Sequence, residues 1–135
     1  MNRLSLRCIK SAFMFLALGI GLGAAFALDR SVGAALRPLH AQLNLWGWVT
    51  LLIYGMAYHM MPRFAGQPLR WSRLATAQSW IAIGGVALVS IGWLAVYAEL
   101  WGARVVLVGG GMLQWGAALV FVLLMGDILW RPAKP

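Results

Sequence analysis

Two histidines, His40 and His59, are the side chains in this sequence best suited to chemistry. Both fall within residues 38–62, a stretch free of Asp, Glu, Lys and Arg. An imidazole in an apolar span is costly enough to mark a function by default. Nineteen positions separate them, which on a helix is about 28 Å, so they cannot act on one centre. At about 100° per residue, His40, Asn44, Gly47, Leu51, Tyr54 and Tyr58 share one face, with Gly55 and His59 beside it. A glycine two turns below a histidine is what a flat macrocycle lying along a helix requires, with the imidazole on its iron. Arg37, one turn before His40, places a guanidinium where it can meet the carboxylates of such a ring. Asn44 and Gln42 are placed to orient the imidazole by a hydrogen bond, or equally to bond another helix. The candidate site is therefore His40 as ligand, with Arg37, Asn44 and Gly47. The structural alternative is a histidine near the helix start bonded to a carbonyl or an interfacial water.

His59 belongs to the string Tyr58-His59-Met60-Met61-Pro62-Arg63. Soft thioethers with an imidazole suit Cu(I), but consecutive methionines point apart on a helix, and an amphipathic side chain at an interface is inexpensive. His59 is thus the weaker metal candidate. A second axial ligand for His40 is harder to find. Met112 stands about eight residues into the last uncharged run against about three for His40, a mismatch of several ångströms in depth. The remaining options are His40 of a second copy, a partner subunit's histidine, or an open position for a gas such as nitric oxide.

Helices buried in lipid must position these groups. Of the 135 residues, 62% are apolar and 10% charged, where a soluble domain has about 45–50% and about 25%. The charges leave four uncharged runs at 11–28, 38–62, 74–98 and 105–126, each long enough to cross a bilayer. The reading is an all-α, integral membrane four-helix bundle forming one domain over 1–135. Arg3, Arg7, Lys10, Arg63, Arg70, Arg73, Arg131 and Lys134 then share one side, against Arg30, Arg37 and Arg104 on the other. The positive-inside bias puts both termini in the cytoplasm of a bacterial-type inner membrane. The net charge of +8 reads as orientation, not nucleic-acid binding, because no face interleaves arginines with aromatics.

Basic residues before the first run, and Ala25-Phe26-Ala27 at its end, resemble a cleavable signal. The length of the run and its Gly19/Gly23 pair argue instead for a retained helix that lets a neighbour approach closely. The second helix is expected to start near residues 34–38, with Pro38 in its first turn, and to end at Pro62 before an Arg63–Arg73 loop. Gly109-Gly110-Gly111 should weaken the last helix. Trp71, Trp101 and Trp130 mark interfaces. The lone Cys8 excludes an intrachain disulfide. No Ser/His/Asp set, carboxylate pair or phosphate-cradling loop supports a free-standing enzyme. No charge inside a span supports a transporter.

Leu36-Arg37-Pro38-Leu39-His40, opening a helix that runs from the outer face inward, resembles the second transmembrane helix of subunit I of the haem-copper oxidases. The likeness is closest to the C-family cytochrome c oxidases and the nitric oxide reductases, and strongest over residues 36–63. It implies that His40 is an axial ligand of a b-type haem in an electron-transfer or gas-responsive protein of respiration or denitrification. The alternative is a non-catalytic accessory or assembly subunit of a terminal oxidase or nitric oxide reductase, without its own haem. A full subunit I has about a dozen helices and a further histidine cluster. Two histidines cannot supply it, so the chain resembles a fragment or miniature relative that at most acts as a redox subunit. The expected partners are the lipid bilayer and either a second copy or a larger respiratory complex.

Overall fold

The structure is a computed structural model and describes residues 2–131. The described residues are all-helical: α1 (Arg3–Leu28), α2 (Arg30–Gln42), a π-helical stretch (Leu43–Thr50), α3 (Leu51–Phe64), α4 (Ser72–Tyr97) and α5 (Ala103–Trp130). Since α2, the π stretch and α3 follow without a break, the chain forms four rods, as the uncharged runs suggest. Three helices, α1, α4 and α5, are long and apolar enough to cross a membrane. Their outward faces are apolar: Ile20, Val105 and Leu123 are 61%, 74% and 71% exposed. Contiguous apolar surface on this scale is foreign to a water-soluble monomer.

The second rod begins earlier than Pro38 suggests. Only Asp29 interrupts the chain between α1 and α2, and its carboxylate accepts from Ser31 N at 2.8 Å and Val32 N at 3.4 Å. That cap satisfies orphan donors of the first turn and starts the helix at once. Pro38 consequently lies inside α2, where it costs one backbone bond to Ala34. At the other end the helix continues through Pro62 to Phe64 and closes with Gly66 at φ +61°. The Gly109-Gly110-Gly111 segment does not interrupt α5. Gly110 instead lets α4 approach, and a Cβ there would stand 2.8 Å from the Val89 nitrogen.

Two antiparallel hairpins result, α1 with the long rod and α4 with α5. In the first, the helices exchange glycines. Gly23 and Gly19 of α1 receive His40 and Asn44, while Gly33, Gly47 and Gly55 of the rod receive Phe26, Phe15 and Ile9 with Cys8. In the second, Gly85, Gly92 and Gly110 play the same part against Gln114, Leu107 and Val89. Such close backbone approach is how apolar helices associate where no hydrophobic difference between lipid and protein drives them together. Tyr58, Leu51, Val86 and Ile128 fill the space between the hairpins.

Candidate functional site

His40 stands ten residues after Arg30, about 15 Å along the axis, which is deeper than a helix starting near 34–38 would place it. Its Nδ1 lies 2.9 Å from the carbonyl oxygen of Gly19. A carbonyl only accepts, so Nδ1 is the donor in this bond. Asn44 donates through Nδ2 to the His40 carbonyl at 2.8 Å, and the same amide lies 3.4 Å from Nε2. The ring edge sits in the notch of Gly23, where a Cβ would be 2.9 Å from Cε1. The Phe26 ring lies tilted beside it, 5.6 Å between centroids. Sequence reasoning brings His40 and Asn44 together correctly, and the imidazole bonds a carbonyl.

The other members of the candidate site go elsewhere. A Cβ on Gly47 would meet Phe15 at 2.6 Å, so that flank is filled by α1 and offers no room for a macrocycle. Arg37 is exposed. Met112 is 62% exposed and lines an outer furrow between α4 and α5, away from His40. His59 accepts from the Arg63 guanidinium at Nε2. Among the described residues no group of three or more His, Cys, Asp or Glu is gathered. Gly47, covered by Phe15, is therefore not the open cradle that the spacing suggested.

The single polar face expected from 100° spacing is split. His40, Asn44, Gly47 and Gly55 turn to α1, whereas Tyr54 and Tyr58 turn to the other hairpin. Tyr54 stacks on Phe121 at 4.2 Å, and Tyr58 meets the same ring edge-on at 5.5 Å. The π stretch causes the split. Its hydrogen bonds each span one residue more than an α bond, so residues beyond it lag in azimuth.

Sequence reasoning missed the polar groups that join the hairpins. The Tyr58 hydroxyl donates to Gln78 Oε1 at 2.8 Å, and Gln78 Nε2 donates to the Ala117 carbonyl at 3.0 Å. Gln78 is 1% exposed, and a buried amide with both ends satisfied holds α3, α4 and α5 in one arrangement. Nearer the N-terminus, Arg7 donates to Ser79 Oγ at 2.9 Å and lies 4.3 Å from the Trp80 ring centre. Uncharged Gln78, Ser79 and Gln114 inside apolar runs were the available signal, and a search for ionisable groups passes over them.

No family model, curated protein or solved structure matches this chain.

Proposed function

We propose that the chain is a multi-pass inner-membrane protein with four spans and cytoplasmic termini, serving as a non-catalytic accessory or assembly subunit of a larger respiratory or denitrification complex. One observation carries the reading. Three members of the stretch resembling oxidase subunit I are engaged in packing the first hairpin: His40 bonds the Gly19 carbonyl, Asn44 seats against Gly19, and Gly47 receives Phe15. The apolar outer faces and the eight-to-three division of basic residues support the membrane orientation. Affinity-purified protein from mild detergent should bring down a large haem-bearing subunit, and should do so equally in the His40→Ala variant. A chain recovered only as a free homodimer would overturn the reading.

A second reading rests on the tautomer of His40. An imidazole whose Nδ1 proton is fixed on a backbone carbonyl presents Nε2 in the form that metal ligands take. On that basis His40 would bind a b-type haem shared with a second copy or with a partner subunit, in electron transfer or gas response. A pyridine-haemochrome spectrum of wild type beside His40→Ala and His59→Ala separates the two readings. Haem lost only in His40→Ala supports the second, and haem carried by the co-purified subunit and retained equally in both variants supports the first.

A further inference from the structure

The lipid-facing side of the second hairpin carries a furrow that neither reading uses. Its upper part, about 270 Å³, lies between Ile81 and Leu74 on α4 and Met112, Gly116 and Val120 on α5. A further 230 Å³ continues past Leu74 and Val120 to Trp71 and Asp127. From Met112 to Asp127 the furrow runs about 22 Å, which exceeds the roughly 15 Å that one leaflet of a 30 Å hydrocarbon core provides. Gly116 forms part of its floor, and a Cβ there would meet nothing within 4 Å.

The end of the furrow is basic. The Arg70 guanidinium lies over the Trp71 ring, 5.2 Å from its centre, and Arg73 is exposed in the first turn of α4. Asp127 is the one carboxylate at this end among the described residues, and it is ion-paired with Arg131. Among the described residues, Arg70 and Arg73 flank the mouth with no carboxylate paired to them. The furrow is lined almost entirely by apolar side chains. It suits a single hydrocarbon chain.

We propose that the α4–α5 furrow binds an anionic phospholipid, with one acyl chain pressed along Gly116 and the phosphate at Arg70 and Arg73. The headgroup charge supplies the selectivity and the tail the register, because tails alone do not distinguish one lipid from another. The proposal rests on the reading that the helices span a bilayer.

Native mass spectrometry of the full-length chain in mild detergent tests it, with phosphatidylglycerol and phosphatidylcholine of identical tails added at equal concentration. The expected result is a preference for phosphatidylglycerol of about five-fold per arginine. Arg70→Gln/Arg73→Gln should abolish the preference while retaining some of both lipids. Gly116→Leu places an aliphatic side chain in the furrow from a position where its Cβ meets nothing within 4 Å, and should lower binding of both. Equal retention of the two lipids by wild type, or undiminished binding in Gly116→Leu, would overturn the proposal. Efficient crosslinking of two copies through Gly116→Cys would also overturn it, by giving the furrow to a protein partner. Alkaline carbonate extraction of the same membranes checks the underlying reading separately. A chain released by carbonate fails that reading, whereas a retained chain without lipid preference fails only this proposal.

Discussion

His40 and Gly19 lie on neighbouring antiparallel helices, and the imidazole Nδ1 donates to the glycine carbonyl across a contact of 2.9 Å. The bond exists because Gly19 and Gly23 leave the α1 backbone bare where the ring and the Asn44 amide arrive. His40→Phe removes the bond while keeping an aromatic ring, somewhat larger, against Gly23. It should lower unfolding stability in detergent by about 1 kcal/mol, read from the midpoint of a denaturant titration followed by circular dichroism.

Glycines of α1 divide into seam and surface, and alanine scanning should separate them. A Cβ on Gly23 would stand 2.9 Å from His40 Cε1, whereas one on Gly21 would meet nothing within 4 Å. Gly23→Ala should cost about 1–3 kcal/mol through overpacking. Gly21→Ala should be neutral or gain up to about 1 kcal/mol from helix propensity. Thermal midpoints of the two variants, measured side by side, give the comparison.

The Tyr58–Gln78–Ala117 relay predicts non-additivity. Tyr58→Phe leaves the buried Gln78 oxygen without its donor and should cost about 1–3 kcal/mol. Adding Gln78→Leu removes the orphaned acceptor. The double variant should therefore be less destabilised than the sum of the single variants, in a double-mutant cycle on the same unfolding measurement.

Asp29 links the first hairpin to pH. The Ser31 hydroxyl, with the Ser31 and Val32 backbone N–H groups, holds its carboxyl below the usual carboxylate value. With the folded pKa depressed, the cap's contribution is present above the unfolded value, about 3.9, and is lost as pH falls through the folded one. Asp29 is exposed, so the effect is modest. The thermal midpoint of wild type should fall on acidification below about pH 4 more steeply than that of Asp29→Asn.

The four rods were legible in the sequence because charges in this chain avoid the apolar interior, leaving runs whose length alone marks them as helices. The pairing of His40 with Asn44 was legible from α-helical spacing, since Asn44 is only the second residue of the π stretch and little of its wider turn has accumulated there. Gly47 was read as room for a ligand because a sequence shows an absent side chain but not the Phe15 that fills the gap. The start of α2 was misplaced because Pro38 suggested a first turn, while the stronger device was the Asp29 carboxylate nine residues earlier. The Gln78 relay stayed hidden because an uncharged amide leaves the hydropathy of its run nearly unchanged.

The π stretch at Leu43–Thr50 makes chain length between His40 and Tyr54 a rotational quantity. One end of the rod answers to α1 and the other to the α4–α5 pair, so losing a single residue in this stretch would act as a twist of the rod's lower half, turning Tyr54 and Tyr58 off Phe121. Point substitutions in those eight residues should therefore be tolerated far better than any insertion or deletion.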